Sequence, residues 1–319
     1  MIRIADSAAI AEAARLLKDG QLVAMPTETV YGLAADALNA QACAEIFEAK
    51  QRPSFDPLIV HVLDLNALKQ VAEERPLLAL LAEKFWPGPL TLVLPKKISV
   101  PDIVTSGLQT VAVRIPSHPV TRALLEAVGK PLAAPSANLF GCLSPTTALH
   151  VEEQLGDVIP LILDGGACEV GVESTIVDLS GETPRLLRAG GISKEDLEAV
   201  LGMTIEMGPS VLEKPLAPGQ LPSHYAPLTP LKLFAKGQVP VPQVRAGLLT
   251  LQGSPLGSAF AEVEVLSQAG DLRESAANLF AALHRLDDAD VDVIYVEAVP
   301  ETGLGRAIMD RLRKAEAQA

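Results

Sequence analysis

The sequence has few cysteines, fewer basic than acidic residues and no long uncharged apolar segment. Its three cysteines, Cys43, Cys142 and Cys168, are far apart and form no CxxC pair, which argues against a zinc site or a disulfide framework. We therefore expect a reducing, cytoplasmic location. Because no uncharged apolar run approaches the roughly 18 residues of a membrane span, and residues 1–20 contain no signal-peptide core, we expect no membrane association.

The charge balance limits the possible partners. The chain has 26 Lys and Arg against 39 Asp and Glu, a formal net charge of -13, which opposes broad attraction to nucleic acid or to an anionic membrane. Basic residues that contribute to function must therefore act locally.

Motifs of several enzyme classes are also missing. The nucleotide-binding GxxxxGK[ST], the hydrolase GxSxG and the zinc-binding HExxH do not occur, and the five histidines are scattered. These absences argue against a P-loop, a serine-hydrolase elbow and a catalytic metal bound by clustered side chains.

The patterns that are present predict two α/β domains. At 319 residues and 49% hydrophobic content, the chain is long enough for both. Residues 1–206 alternate helix and strand patterns, with Ser7 as the candidate N-cap of the first helix, and their closely spaced strands predict a mixed sheet. Residues 207–227 are rich in proline and glycine and predict a linker. Residues 228–319 predict a smaller, Rossmann-like domain.

Four polar clusters follow predicted strands. They are PTETVYG (26–32), KQRPSFDPLIVH (50–61), PSANLFGCLSPTT (135–147), and VESTIVD (172–178) together with RLLRAGG (185–191). Because open α/β sheets bind ligands at strand ends, we expect these clusters to converge on one cavity.

Each cluster alone also fits an ordinary structural role. Thr27 and Thr29 suit a turn or the N-cap of a following helix, and Lys50 and Arg52 suit a helix C-terminus. His61, within an apolar strand, is typical of a core histidine. Together, however, cations and hydroxyl or amide donors at strand ends favour an anionic ligand. The residues in question are Lys50, Arg52, Arg114, Arg188, Thr29, Ser136, Asn138, Ser144 and Ser174.

Seven ordered motifs resemble those of one family, the YrdC-like threonylcarbamoyl-AMP synthases. The chain contains PTETVYGL, KQRPSFDPLIVH, VAVRIP, SAN, SPT, ESTIVD and LLRAGG in the family's order, across residues 5–200. The HYAP of the linker and the additional domain resemble the long form of the family.

The resemblance implies a fold and a reaction. The fold is a twisted open α/β sheet with a large concave cavity. In the reaction, L-threonine, bicarbonate or carbon dioxide, and ATP give threonylcarbamoyl-adenylate and pyrophosphate. The product would serve threonylcarbamoylation of the adenosine beside the tRNA anticodon, carried out by a separate transferase. Mg²⁺ is expected on the ATP phosphates, without a metal ligand from the protein.

The resemblance also implies a role for each matching residue. Lys50 and Arg52 resemble a catalytic phosphate clamp, and Arg114 suits the threonine carboxylate because a guanidinium holds it through two hydrogen bonds. The residues implied for threonine are Thr29, His61, Arg114, Ser136 and Ser174. Those implied for ATP are Lys50, Arg52, Asp56, Thr110, Ser136, Asn138, Ser144, Thr146, Arg188 and His224.

Repulsion between anions governs the expected mechanism. A carbamate oxygen must attack the α-phosphorus while pyrophosphate leaves, so cations are needed to stabilise the transition state. We expect Lys50, Arg52 and Arg188 to act with Mg²⁺, and positioning to contribute more than a dedicated general base.

Three features depart from the family pattern. Ala34 stands where glycine is expected, Asp56 where asparagine is expected, and residues 220–223 lack the expected basic side chain. These departures concern contacts with ATP rather than the reaction itself.

Two other hypotheses stay open. One is a binding module of the same fold for double-stranded RNA or tRNA, against which the net charge argues. The other is a different carbamoyl or adenylate transferase, against which the threonine-type residues Thr29, His61, Arg114 and Ser174 argue. Direct contact with tRNA, the oligomeric state and the role of the second domain beyond a lid are not specified by the sequence.

Overall fold

A computed structural model describes residues 1–208, 215–221, 224–254 and 257–317. The larger, N-terminal part contains β1 (Ile2–Ile4), α1 (Ser7–Lys18), β2 (Val23–Met25), β3 (Gly32–Asp36), α2 (Ala40–Lys50), β4 (Ile59–His61), α3 (Leu65–Leu68), α4 (Leu78–Phe85), β5 (Leu90–Pro95), α5 (Asp102–Thr105), β6 (Thr110–Arg114), α6 (Pro119–Val128), β7 (Leu132–Ala133), α7 (Ala148–Leu155), β8 (Ile162–Asp164), β9 (Thr175–Asp178), β10 (Arg185–Arg188), α8 (Lys194–Leu201) and β11 (Glu206–Met207). The smaller part contains β12 (Leu231–Phe234), β13 (Ala246–Thr250), a short 3₁₀ helix (Gly257–Ala259), β14 (Glu262–Val265), α9 (Leu272–Asp287), β15 (Val293–Glu297) and α10 (Gly305–Glu316).

The larger part is built on one mixed sheet of eleven strands in the order β1-β8-β2-β3-β7-β4-β6-β5-β9-β10-β11. β2 and β3 form an antiparallel pair, whereas β4 and β6 run parallel. The smaller part has a wholly parallel sheet in the order β12-β15-β13-β14, with α9 and α10 in its core. The predicted fold class, a mixed α/β sheet followed by a smaller Rossmann-like domain, is confirmed.

One face of the large sheet is only partly covered by helices. Alternate residues of β2 and β3, such as Val23 and Ala34, pack in a cluster with α1 and α6. Farther along the sheet, the cluster formed by Ile59, Ala112 and other strand residues is covered instead by Ala217 of the linker. The linker thus packs against the sheet above β4, β6 and β9.

Two local predictions are wrong. The N-cap of α1 is Asp6, whose carboxylate accepts a hydrogen bond from the backbone N of Ala9 at 2.7 Å, and Ser7 is instead the first helical residue. No helix follows the PTET motif, because the chain turns directly into β3. The N-cap alternative for Thr27 and Thr29 is therefore excluded, and the turn alternative holds.

The predicted linker lies between β11 and β12, and residues 209–214 and 222–223 of it fall outside the described residues. The described part packs closely: Ala217 is fully buried, and Tyr225 joins an apolar cluster that also includes Val172 of the large part and Phe280 of α9. The two parts thus share one hydrophobic cluster. Within the described ranges, no helix combines the length and apolar character needed to cross a membrane.

The N-cap assignment makes a prediction. Asp6→Ala removes the side-chain acceptor for a free N–H of α1 and should lower the free energy of unfolding by about 1 kcal/mol. Ser7→Ala is the matched control, because alanine is a good helix former at an exposed first-turn position. Urea denaturation of both variants measures this. An equal or larger loss in Ser7→Ala would contradict the assignment.

Candidate active site

A cavity lies at the ends of β4, β6 and β10, between the large sheet and the linker. It is lined by residues of all four polar clusters and by the linker. The predicted residues among its walls are Thr29, Arg52, His61, Arg114, Ser136, Ser174, Arg188 and His224. The expected convergence of the clusters on one cavity is thus confirmed.

The polar residues after β2 form a tight turn into β3. The Thr27 hydroxyl donates to the carbonyl of Val30 at 2.6 Å and accepts from the backbone N of Thr29 at 3.1 Å. Such a hydroxyl replaces backbone partners in a turn that has no regular hydrogen-bond ladder. This turn places the Thr29 hydroxyl in the cavity, within 2.9 Å of the Thr27 hydroxyl.

Arg114, at the end of β6, is held on three sides. It donates to the Thr29 hydroxyl (2.8 Å) and to the carbonyl of Gly88 (3.2 Å), and its Nη2 forms an ion pair with Glu28 Oε1 at 2.7 Å. A guanidinium has five N–H groups, so each terminal nitrogen keeps one N–H for a further acceptor. The arrangement orients Arg114 and still leaves it able to bind a carboxylate.

Glu28 was not predicted, although it is the glutamate of the PTET motif. Its Oε1 also accepts from the backbone N of Ser117 at 3.1 Å. Burial alone would raise the pKa of Glu28. The charge of Arg114 and the hydrogen bonds that the Glu28 carboxylate accepts outweigh burial and lower this pKa to about 2. Glu28 is therefore an anion that fixes Arg114.

His61 lies beside Arg114, because β4 and β6 pair in parallel with these two residues in register. Burial, together with the charge of Arg114, lowers the pKa of His61 to about 3. Its Nδ1 has no hydrogen-bond partner among the described residues. His61 is thus a neutral imidazole with a ring nitrogen available to a ligand.

Arg188 and Ser174 form a second polar group in the cavity wall. Arg188 donates to the Ser174 carbonyl from Nε (3.1 Å) and Nη2 (3.0 Å), and its Nη2 also reaches the Ser174 hydroxyl at 3.1 Å. That hydroxyl lies 2.7 Å from the hydroxyl of Thr91. Burial lowers the pKa of Arg188 below its ordinary value.

Arg52 is paired with the residue that departs from the family pattern. Its Nη2 lies 2.8 Å from Asp56 Oδ2, and it also donates to the carbonyls of Asp56 and Pro57. Burial raises the pKa of Asp56, although nearby cations oppose that shift. Arg52 thus lines the cavity with its charge partly balanced, and Asp56 lies behind it.

Lys50 points away from the cavity, toward the backbone of the SAN motif. Its ammonium donates to the carbonyl of Ser136 at 2.6 Å and to that of Asn138. Burial and the charge of Arg52 lower its pKa well below the ordinary value. In this arrangement Lys50 holds the loop that carries Ser136, and it does not contact the cavity directly.

Four other predicted residues also lie outside the cavity wall. Asn138 donates to the carbonyls of Leu139 and Cys142, and Thr146 contacts His150. Ser144 donates its hydroxyl to Glu173 at 2.5 Å. Thr110 lies at the opposite end of β6 from Arg114.

The linker closes the cavity from above. Its Pro218 carbonyl accepts from Arg188 at 3.2 Å, and its His224 ring packs edge-on against Phe140 with 5.4 Å between centroids. Gln220, one of the departing positions, accepts from the backbone N of Leu216 and of Ala217 and so shapes the linker turn. Positions 222 and 223 fall outside the described residues.

Ala34 does not affect the cavity. It pairs with Val23 and packs into the cluster with α1 and α6, on the helix-covered region. Gly32 is the β3 residue that lines the cavity. In the part of the chain that the structure describes, no group of three or more His, Cys, Asp or Glu side chains is placed to hold a metal ion.

Comparison with known proteins identifies the family. A model of the Sua5/YciO/YrdC family, described as "Telomere recombination", matches residues 15–190, and a model described as "Threonylcarbamoyl-AMP synthase, C-terminal domain" matches residues 192–317. The chain belongs to the Sua5/YrdC family of threonylcarbamoyl-AMP synthases. The resemblance of the seven sequence motifs to this family is confirmed.

Full-length relatives support the same conclusion. The threonylcarbamoyl-AMP synthase of Pyrococcus abyssi is 46% identical over 95% of this chain and 92% of its own length. That of Bacillus subtilis is 44% identical over 96% of this chain and 92% of its own length. The crystal structure of P. abyssi Sua5 complexed with L-threonine superposes with a TM-score of 0.91 at 41% identity, covering 99% of this chain and 98% of that one.

The Glu28–Arg114 pair predicts a pH dependence of stability. Because folding lowers the pKa of Glu28 from 4.5 to about 2, the pair stabilises the folded state above pH 4.5, by about 3 kcal/mol. This stabilisation is lost progressively as the pH falls from 4.5 to about 2. Glu28→Gln should therefore lose stability less steeply than the parent protein between pH 6 and pH 3.

Urea denaturation at several pH values measures this difference. The exposed Glu182 supplies the control: Glu182→Gln should retain the parent slope, since its carboxylate is in water. If Glu28→Gln follows the same pH dependence as the parent, Glu28 does not carry the buried charge.

Proposed function

We propose that this chain catalyses the threonylcarbamoyl-AMP synthase reaction, in which L-threonine, bicarbonate or carbon dioxide, and ATP give threonylcarbamoyl-adenylate and pyrophosphate. One observation carries the proposal: a carboxylate-binding group (Thr29, His61 and Arg114) and a second cationic group (Arg52 and Arg188) line the same buried cavity. A small amino acid and a polyphosphate need these two kinds of group side by side.

The first group fits L-threonine. The free N–H groups of Arg114 suit its carboxylate, and the neutral His61 offers a ring nitrogen at 3% exposure. Thr29 and Ser174 supply hydroxyls for the remaining polar atoms. The relative from P. abyssi, which has been crystallised with L-threonine, supports this assignment.

The second group fits the phosphates of ATP. Arg52 and Arg188 are buried cations, and a phosphate exchanges readily for the backbone carbonyls that they now contact, while the Asp56 carboxylate stays paired with Arg52. Beyond them, the sheet carries apolar Ile59 and Ala112 under Ala217 of the linker. We infer that the nucleoside enters over these residues when the linker opens, and that the linker then closes over it. Thr110 lies on the same strand face as Ala112, which brings it within the proposed nucleotide region.

Mg²⁺ enters this proposal as part of the substrate Mg·ATP. The carboxylates in and beside the cavity wall, Glu28, Asp56 and Glu173, are each paired with an arginine, so none of the three is free to hold a resident metal ion. On the triphosphate, Mg²⁺ would neutralise charge and assist the departure of pyrophosphate.

The residues of the site act on two steps. First, the neutral amine of threonine adds to carbon dioxide and releases a proton to solvent, which gives a carbamate; Arg114, Thr29 and His61 hold the amino acid in place, and Glu28 fixes Arg114. A carbamate oxygen then forms a bond to the α-phosphorus, and the bond from that phosphorus to the bridging oxygen of pyrophosphate breaks. Arg52 and Arg188 stabilise the charge that develops there. A tRNA-modifying transferase would consume the adenylate.

A substrate-omission assay tests the proposal. Pyrophosphate release and threonylcarbamoyl-adenylate, followed by mass spectrometry, should require ATP, Mg²⁺, L-threonine and bicarbonate together. Arg52→Ala should lower kcat/KM by roughly 10²–10³-fold, as expected for loss of one group that stabilises transition-state charge. Arg75→Ala is the control, because the side chain of that exposed arginine donates to the Ser180 carbonyl and does not line the cavity. Adenylate formation without threonine or bicarbonate would contradict the proposal.

The closed linker makes a separate prediction. Gly219 has a φ of +79°, and a Cβ there would lie 2.4 Å from the Tyr225 hydroxyl and 3.1 Å from Arg188 Cδ. Gly219→Ala should therefore prevent closure and reduce kcat by roughly tenfold or more. Gly237→Ala is a matched control, because Gly237 has a φ of +76° with nothing within 4 Å of its added Cβ. Equal rates for the two variants would show that closure does not limit turnover.

A further inference from the structure

One arginine of the C-terminal domain reaches the wall of the cavity. Arg311, on α10, is 1% exposed and is the largest fully buried side chain among the described residues. Its Nε donates to Glu173 Oε2 at 2.8 Å, and its Nη1 donates to the carbonyl of Ala189 at 3.0 Å. Its guanidinium also lies over the ring of Tyr225, 5.0 Å from the centroid. The catalytic part, the linker and the second domain thus meet at this side chain.

The partner of Arg311 is a carboxylate in an anion-binding cavity. Glu173 lines the cavity at 5% exposure and directly precedes Ser174, which holds Arg188. Its second oxygen accepts the hydroxyl of Ser144 at 2.5 Å. Without a counter-charge, this carboxylate would repel the phosphates of ATP and the carbamate alike, and would itself be a buried unpaired charge.

Arg311 is the cation that provides this counter-charge by direct contact. Arg188 lies nearby, but the hydrogen bonds that it makes go to Ser174 and Pro218. Asp310, the neighbour of Arg311, forms its own contacts with Arg311 and Lys314 at the edge of the interface. Neutralisation of the Glu173 charge therefore depends on the second domain.

We propose that Arg311 is a positioning residue for adenylate formation, which neutralises Glu173 in the cavity wall and keeps the Ser144 hydroxyl on that carboxylate. The second domain then completes the electrostatics of the site, in addition to any action as a lid. This inference rests on the proposed synthase function, because the cost of an unbalanced Glu173 arises from anionic substrates.

A double-mutant cycle that removes each charge tests the inference. Arg311→Met retains an apolar stem but leaves Glu173 unbalanced, and it should raise KM for ATP by roughly tenfold or more. Glu173→Gln removes the charge while it can still accept from Ser144. The double variant Glu173→Gln/Arg311→Met should recover to within about threefold of Glu173→Gln, because no uncompensated charge remains. If Arg311 serves only packing, the double variant will be as defective as Arg311→Met, and the inference fails.

The pH profile gives a readout that packing alone would not move. The groups facing Glu173 are Arg311, Arg188, the Ser144 hydroxyl and the phenol of Tyr225. Burial would raise the pKa of Glu173, and the charges of Arg311 and Arg188 lower it below its ordinary value. In Arg311→Met this pKa should rise, so KM for ATP should fall relative to the parent as the pH is lowered from 8 to 6. If KM for ATP depends on pH in the same way in Arg311→Met and in the parent, the inference is overturned.

Arg306→Met is the matched control for domain docking. Arg306 lies on the same helix and pairs with Glu195 of the larger part at 2.5 Å, but outside the cavity. It should leave KM for ATP within about twofold of the parent, as expected for a partly exposed pair. Thermal unfolding of every variant identifies any that fail to fold. A loss in Arg306→Met equal to that in Arg311→Met would assign the effect to docking and overturn the inference.

Calorimetric titration of Mg·ATP, without threonine, separates this inference from the proposed function. If the parent protein forms no adenylate, the proposed reaction is wrong. Weaker ATP binding by Arg311→Met, restored in the double variant, would still support the role of Arg311. Unchanged ATP affinity in Arg311→Met would overturn that role even where the parent forms adenylate.

Discussion

Buried cations in this protein must be balanced before any substrate arrives. An isolated charge in a water-poor cavity costs several kcal/mol, so a site for anions cannot be a set of unpaired arginines. Arg52 is paired with Asp56, Arg114 with Glu28, and Arg311 with Glu173. Three of the buried arginines in or beside the cavity wall are therefore ion-paired, whereas Arg188 is held by the carbonyls of Ser174 and Pro218 and by the Ser174 hydroxyl.

This balance decides which donors a ligand can use. Arg114 directs one N–H to each of Thr29, Gly88 and Glu28, and these contacts fix the directions of its remaining N–H groups. A bound carboxylate therefore meets a guanidinium that is already oriented, which reduces the entropy lost on binding. The hydrogen bond of Arg188 to Pro218 differs, since a backbone carbonyl carries no charge and is readily exchanged for a phosphate oxygen.

Much of the fold and of the cavity could be predicted from the sequence, because both depend on local patterns. Alternating helix and strand periods indicated a mixed α/β sheet, and polar clusters after apolar strands indicated where a ligand would bind. The direction of the chain after PTET could not be predicted, since hydroxyl residues serve turns and helix N-caps equally well. The hairpin of β2 and β3 is decided by pairing with strands far away in the sequence.

The residues that sequence reasoning missed share a physical reason. Glu28 and Glu173 lie inside recognised motifs, but a search for anion-binding groups passes over carboxylates. Only the need to balance buried arginines would have selected them. Arg311 carried no local signal, because it lies in a different domain from its partner and its contact depends on how the domains pack.

The contact of Arg311 links three properties that a sequence presents separately. The same side chain balances Glu173, lies over Tyr225 of the linker and belongs to the helix that fills the shared apolar cluster. Lys314, one turn later, holds the Gly219 carbonyl of the linker at 2.7 Å. Any separation of the domains would therefore release the linker and expose the charge of Glu173 at the same time. Closure of the linker over the cavity and neutralisation of Glu173 therefore occur together, and both depend on the packing of α10 against the larger part.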